Sequence, residues 1–393
     1  MQELFLDSIT QTPIDSRVLE AMYPYLTGCH GNPLSRHGLG WKSQKAIEKA
    51  RQQVASLIGS FPDEIIFTST GTESNNMALI GMAHSLREKG NHLILSGLEH
   101  ESVLFTARAL EKEGYEISIL PVDSQGLTSL DSLEEAIRKQ TILIAITTAN
   151  GEVGTLQPLK EIGDFCQNHQ IAFFSDGVAA VGQVPMDVRE LNLDTLSLAG
   201  NQFYGPPGIA ALYLRRGIYL APLMYGGKHE EHHRPGTHNL PGIVGLGMAA
   251  QLALQEMPSR MTHLVNLRDY AKANLASSIP HLIWTGHPQK RLPHHLSFCV
   301  EGIQGEALLL LLELEAGVAA SSGSICGDET SQSSRILLNM GISEAAAGGA
   351  IRFTFLKDTV AEDLDVLFKK MPELVARLRN KFHSAINRGM GTR

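Results

Sequence analysis

Cysteine is scarce in this chain: Cys29, Cys166, Cys299 and Cys326 are the only four in 393 residues, too scattered for a disulfide framework or for Cys-x-x-Cys metal ligation. A cysteine that carries chemistry here must therefore act singly. Positive charge is also short. The net charge is −8, so the clustered Lys and Arg that neutralise phosphates are missing and nucleic acid is not an expected partner. No apolar run reaches the roughly 20 residues that cross a bilayer, so no membrane partner is expected either. The opening Met1-Gln-Glu-Leu-Phe-Leu-Asp7 has neither a basic stretch followed by an apolar one nor an Arg/Ser-rich amphipathic pattern, so the expectation is a cytoplasmic protein.

What is present is globular: 43% hydrophobic and 19% charged residues, in a chain longer than one core usually serves, which predicts two domains. Short apolar runs (Glu64 to Thr68, His92 to Ser96, Ile142 to Ile146, Ala172 to Ser175, Leu196 to Leu198, Ala210 to Leu214) alternate with helical periodicity over Ser43 to Ile58, Ser102 to Glu113 and Ser132 to Lys139. Such alternation predicts an α/β fold with a mostly parallel sheet flanked by helices. Near Pro258 the pattern changes to strand, helix, strand, helix, which predicts a smaller α+β domain. The expected division is a large domain over 16–255 and a small one made of 1–15 plus 256–393, the latter carrying Cys326.

Several segments carry polar residues of chemical use. Thr68-Ser-Thr-Gly-Thr-Glu-Ser-Asn-Asn76 follows a strand and opens a helix, where backbone N–H groups and the Thr72 hydroxyl suit a phosphate; an N-cap with a nearby Glu accounts for the same residues. Asp176 ends a buried strand, where it can pair with a pyridinium nitrogen or merely cap a loop. His100 follows another strand and can stack on an aromatic cofactor or serve structure alone. Cys326 lies in a Ser/Gly-rich stretch that suits an accessible thiol, though an inert surface thiol fits the same context. The other three cysteines sit in or beside apolar patterns and read as small buried hydrophobes.

Taken in order, Gly31 to His37, Thr68 to Asn76, Glu99-His100, Ala149-Asn-Gly-Glu-Val-Gly154, Asp176, Tyr204-Gly-Pro-Pro-Gly208, Arg234-Pro-Gly-Thr237, Ser321-Ser-Gly-Ser-Ile-Cys326 and Ile351-Arg-Phe353 resemble the cysteine desulfurases and selenocysteine lyases of the class V aminotransferase group. The resemblance runs from Leu6 to about Leu367. It implies the pyridoxal-phosphate-dependent transferase fold type I, like that of aspartate aminotransferase, a homodimer with sites at the subunit interface, and removal of sulfur or selenium from an amino acid, with sulfur-acceptor or scaffold proteins as partners. It further implies phosphate-binding roles for Gly71, Thr72 and Thr237, the last from the partner subunit. Ring stacking falls to His100, cofactor contact to Asn150, pyridinium pairing to Asp176, substrate-carboxylate binding to Asn32 and Arg352, and a persulfide-forming role to Cys326.

The resemblance breaks at one place. Where the family has Ser-Phe-Ser-Gly-His-Lys, with the lysine that makes the Schiff base, this chain reads Ser197-Leu-Ala-Gly-Asn-Gln202. An amide nitrogen, its lone pair delocalised into the carbonyl, cannot form an imine or shuttle a proton. Ala199 and Asn201 replace a phosphate-binding serine and a histidine, Ala179 replaces a glutamine, and the Asn-Asn dipeptide becomes Asn150-Gly151. These changes surround one ligand, so pyridoxal phosphate is expected to be absent or held weakly and noncovalently. Three functions stay open: a pseudoenzyme relaying persulfide through Cys326, an active cysteine desulfurase or selenocysteine lyase that uses Lys228 or a noncovalent cofactor, and a pocket reused for another small ligand. His229-Glu-Glu-His-His233 matches a zinc-peptidase pattern, but Gly226-Gly227 and Pro235-Gly236 leave too little chain for the helix it needs, so no metal is expected. Gly245-Leu-Gly-Met-Ala-Ala250 has no strand before it and reads as helix packing.

Overall fold

The computed structural model describes residues 3–322 and 334–390, with side chains described as far as Lys381. The short strand β1 (Leu4–Phe5) precedes helices α1 (Ser16–Thr27) and α2 (Gly38–Ile58), then β2 (Ile65–Thr68) and α3 (Gly71–Ser85). Next come β3 (His92–Ser96), α4 (Glu101–Lys112), β4 (Glu116–Leu120), α5 (Leu130–Ala136) and β5 (Thr141–Ala145). Helix α6 (Leu159–His169) leads to β6 (Ala172–Asp176), β7 (Thr195–Ala199) and β8 (Ala210–Leu214). The long α7 (Leu240–Ser278) is followed by β9 (Leu282–Trp284), β10 (His295–Val300), α8 (Gly305–Ala316) and β11 (Val318–Ala319). Helices α9 (Arg335–Asn339) and α10 (Glu344–Ala347), strand β12 (Ala350–Thr354) and α11 (Asp365–Met390) complete the chain.

Seven strands form the main sheet in the order β2-β8-β7-β6-β5-β3-β4. Every pair from β7 to β4 is parallel, and β8 alone runs against its neighbours, so the carboxyl ends of the other six share one edge. Strands β2, β3, β5, β7 and β8 are buried at every residue, as a sheet covered on both faces requires. Their side chains divide between two apolar cores, one on each face. Each fully buried Leu, Ile or Phe there contributes roughly 1.5–3 kcal/mol. Strand β4, absent from the apolar-run expectation, is an edge strand with only Leu120 buried, so it has no run to read.

The small sheet is antiparallel, in the order β12-β10-β9, and packs with α8, α11 and the end of α7 around a separate core. Leu4 and Leu6 belong to that core, and β1 pairs with β11, which ties the first residues to the carboxyl-terminal region. Helix α7 runs unbroken through Pro258 and across the expected boundary at residue 255. Its buried residues up to Met257 join the large core, and those from Leu264 onward join the small one. Packing of each half against a different core holds the helix together despite the hydrogen bond that a proline removes. The Gly245 to Ala250 stretch is helix packing: a Cβ on Gly247 would come within 2.5 Å of Ala50 Cα in α2. Among the described residues no helix is long and apolar enough to cross a membrane.

Candidate functional site

The shared carboxyl edge of the strands is where open α/β sheets hold their ligands. Loops leaving β3 and β5 there carry His100 and Asn150, the turn after β7 carries Gln202, Asp176 ends β6 itself, and β2 leads to Gly71 and Thr72 at the start of α3.

Asp176, the last residue of β6, is buried and fully engaged. Asn75 Nδ2 donates to its Oδ2 at 2.7 Å, Ser197 Oγ to its Oδ1 at 3.2 Å, and the Val178 N–H to the same Oδ1 at 3.0 Å. Asn75 also donates to Ser102 Oγ, so one amide links α3, α4 and β6. That role was hidden in the sequence, since Asn75 and Asp176 lie 101 residues apart. At the start of α3, Thr70 caps the Glu73 N–H, and Glu73 closes back on the Ser69 N–H. The capping arrangement is therefore present, beside Gly71, where a Cβ would come within 2.5 Å of Val178 Cγ2. His100 is exposed and caps α4 through Nδ1 to the Ser102 N–H. Asn150 spends its whole amide on structure, donating to Leu98 O and accepting from the Glu152 and Val153 N–H groups.

Two carboxyls deep in this region are shifted up. Glu99 is pushed well above its ordinary range by burial, only partly offset by the Thr147 N–H, with Asp176 adding to the rise. Glu152 is pushed up to about 7 by burial, opposed by a hydrogen bond with Ser334 and by Arg352 and Arg335.

Gln202 ends a single 3-10 turn, residues 200–202, directly after β7. The turn is strapped to the N-terminal segment: the Thr12 N–H and hydroxyl donate to Asn201 O, and the Tyr204 N–H donates to Thr12 Oγ1. Tyr204 holds a left-handed φ of 67°, an uncommon conformation for a tyrosine, and the Lys357 N–H donates to its hydroxyl. Gln202 O accepts from Gln183 Nε2 at 2.7 Å. The Gln202 side chain is 8% exposed, yet its amide has no hydrogen-bond partner among the described residues. Ala199 is buried beside it, Ala179 is half-buried, and Asn201 Nδ2 donates to Thr10 O.

Lys228 does not stand near this turn within the protomer. It lines a cavity with Arg51, Ile65 and Leu214. Leu214 pairs with Thr195 at the far end of β7 from Ala199, four residues and roughly 13 Å away along the strand. The neighbouring His229 to His232 stretch is a short 3-10 segment with left-handed residues at Glu230, Glu231 and His232, not the α-helix that paired zinc-binding histidines need. Glu230 is buried there. Burial pushes its carboxyl up, but His238 and Arg51 outweigh that and hold it down to about 2.

Arg352 is 6% exposed and pairs with Asp7 at 2.8 Å, while its buried Nε has no partner. Asn32 is exposed and accepts the Leu34 N–H in a turn; no hydrogen bond links it to Arg352. Thr237 is exposed in a loop that Arg234 ties to Glu73 at 2.8 Å. Cys326 lies outside the described residues. The described chain on either side of it meets the site: Ser321 bridges to Arg352 through backbone hydrogen bonds, and Arg335 donates to Gly97 O and Glu99 O. Cys166 and Cys299 are buried; burial pushes the Cys299 thiol up to about 12 and the Cys166 thiol higher, so neither suits a thiolate nucleophile.

A mostly parallel sheet with one reversed strand, a smaller antiparallel unit beside it and polar groups gathered at the strands' carboxyl edge define the fold of the pyridoxal-phosphate-dependent transferases. The Aminotransferase class-V family matches residues 4–367, and the chain belongs to that family. It is 44% identical over 377 residues to the cysteine desulfurase IscS of Methanosarcina thermophila, covering 96% of this chain and 93% of the relative. The IscS of Dictyoglomus turgidum is 42% identical over 378 residues, covering 96% of each. Among solved structures, a NifS-like protein aligns with a TM-score of 0.90 at 32% identity, covering 96% of this chain and all of its own. SspA in complex with cysteine aligns at 0.79 and 33% identity, over 91% of this chain and all of its own.

Proposed function

We propose that this chain is a cysteine-desulfurase-like protein that has lost lysine-linked capture of pyridoxal phosphate and serves sulfur transfer as a dimeric pseudoenzyme, accepting or relaying persulfide through Cys326. The observation that carries the reading is Gln202: a residue only 8% exposed, on the turn where the resemblance puts the amine, whose side-chain amide has no hydrogen-bond partner among the described residues. Around it the residues do not fit the cofactor held through an imine. Position 202 has no nucleophilic nitrogen, Ala199 and Ala179 offer no hydrogen-bonding group, and Asn201 is turned to Thr10 O. Every charge-assisted hydrogen bond that the cofactor cannot make here weakens its binding by roughly 1.5–3 kcal/mol. Ser321, before the Cys326 segment, bonds to Arg352, and Arg335, after it, bonds to Glu99 O, which supports a thiol that works at this edge. Sulfur-acceptor proteins are the partners that fit such a relay.

One pair of observations favours a second reading, reuse of the pocket for another small ligand. Among the described residues the Gln202 amide and the buried Arg352 Nε both lack hydrogen-bond partners, and both suit a polar guest.

The test is an absorbance spectrum of the purified protein with added pyridoxal phosphate, before and after borohydride, with mass mapping of any modified lysine. We expect no reduced adduct at any lysine of the site, no sulfide release from L-cysteine, and little activity from Gln202→Lys alone. A reduced adduct on Lys228, or brisk turnover of L-cysteine, overturns the proposal. Labelled persulfide passed from a donor to Cys326, and abolished in Cys326→Ser, supports the relay.

A further inference from the structure

A second concavity shares no residue with the Gln202 turn. It lies between α7 and the 288–293 loop and has a volume of about 780 Å³. That is within the range of small-molecule pockets, roughly 300–1,000 Å³. Met261, Val265, Arg268, Lys272 and Ala276 recur at three- and four-residue spacing, so one face of α7 builds the wall. Val184 closes the apolar part from the large-sheet side.

The charges of this cleft do not balance. Arg291 is 7% exposed, and among the described residues its guanidinium donates only to neutral acceptors, such as Thr285 O, His295 O, Val153 O and Ser297 Oγ. The Lys272 ammonium sits over the Trp284 ring at 5.2 Å and forms no salt bridge among the described residues. Arg268, 7% exposed, has one carboxylate, the neighbouring Asp269, whose side chain is 59% exposed and faces water. Three cations thus face one solvated anion. Burial pushes Arg291 down to about 10, with Arg268 adding to the fall; burial and then Arg291 push Lys272 down. Asp269 offsets these shifts only in part, and positive charge with too few counter-ions is costly, a cost that an arriving anion relieves.

We propose that this cleft binds an amphipathic organic anion: an aliphatic carboxylate whose head group lies among Arg268, Lys272 and Arg291 and whose hydrocarbon body lies on Val184, Met261, Val265 and Ala276. An inorganic anion leaves the apolar wall uncovered, and a cationic amphiphile meets the wrong charge.

The experiment is calorimetric titration of the full chain with octanoate, sulfate and octylammonium, repeated on Lys272→Glu and Ala276→Trp. Lys272 is half-exposed and Ala276 exposed, so both variants keep the core intact, which thermal unfolding checks. Octanoate is expected to saturate with a Kd below about 1 mM and to bind at least about tenfold more weakly in each variant. Sulfate and octylammonium are expected to trail octanoate on the native chain by at least about tenfold. Absence of saturable octanoate binding, native-like binding in either variant, or sulfate as tight as octanoate overturns the assignment.

Discussion

Asp176 and Gln202 close neighbouring strands of one sheet, yet they are held in opposite ways. Asp176 receives hydrogen bonds from Asn75, Ser197 and the Val178 N–H, so the fold itself needs its carboxylate. Among the described residues Gln202 is hydrogen-bonded only through its backbone, and its side chain has no partner. The same division runs through the rest of the edge. Asn150 and Arg352, to which the sequence resemblance assigns ligand contacts, have internal partners in Leu98 O and Asp7, whereas Ala199 and Ala179 stand where the resemblance expects side chains that contact the cofactor. Under the proposed function, residues that would serve both ligand and fold are retained in this chain, and those that would serve only the ligand are free to change.

The largest test of this contrast is Asp176→Ala. It strands a buried amide, a hydroxyl and a backbone N–H, and is expected to lower unfolding free energy by about 4 kcal/mol in urea titration. A loss near zero would break the comparison at its strongest point. Arg352→Met is next: leaving Asp7 unpaired and filling a buried position with an apolar chain is expected to cost about 3 kcal/mol by the same measurement. Native-like stability would instead assign Arg352 to a ligand alone.

Acid should act through His294, which is 2% exposed beside Arg352. Burial, reinforced by Arg352, holds it down to about 4 from 6.5, so the folded chain resists a proton that the unfolded chain accepts. Its contribution is whole above pH 6.5 and is lost as pH falls toward 4. At pH 5 the loss is about 2 kcal/mol relative to pH 7.5, and His294→Asn should remove that part of the pH slope. An unchanged slope in the variant would exclude His294 as the source. The smallest effect belongs to Gln202→Leu, expected within about 0.5 kcal/mol of the native stability because no hydrogen bond is broken. A loss above about 2 kcal/mol would show that the amide has a structural duty after all.

Much of the fold was legible because buried parallel strands read as apolar runs: β2, β3, β5, β6, β7 and β8 all fall on such runs. Strand β4 was not legible, since an edge strand with Glu116 and Ser118 in it lacks that signature. Pro258 read as punctuation, while α7 continues through it with its two halves packed on separate cores. Strands β1 and β11 are two residues each and pair across more than 300 positions, which no local pattern can announce. At the site, the motif residues were visible one by one, but their partners were not. Asn75 on Asp176 and Asp7 on Arg352 meet over 101 and 345 positions.

The chain's order of residues alone decided which functional groups exist: that position 202 carries an amide and no amine is covalent, and no folding alters it. Tertiary structure decided which of the surviving groups are occupied, that Lys228 lies toward the opposite end of the strands, and that Arg268, Lys272 and Arg291 converge on one cleft. Burial and pairing depend on distant segments meeting, and they come into being only when the chain closes on itself.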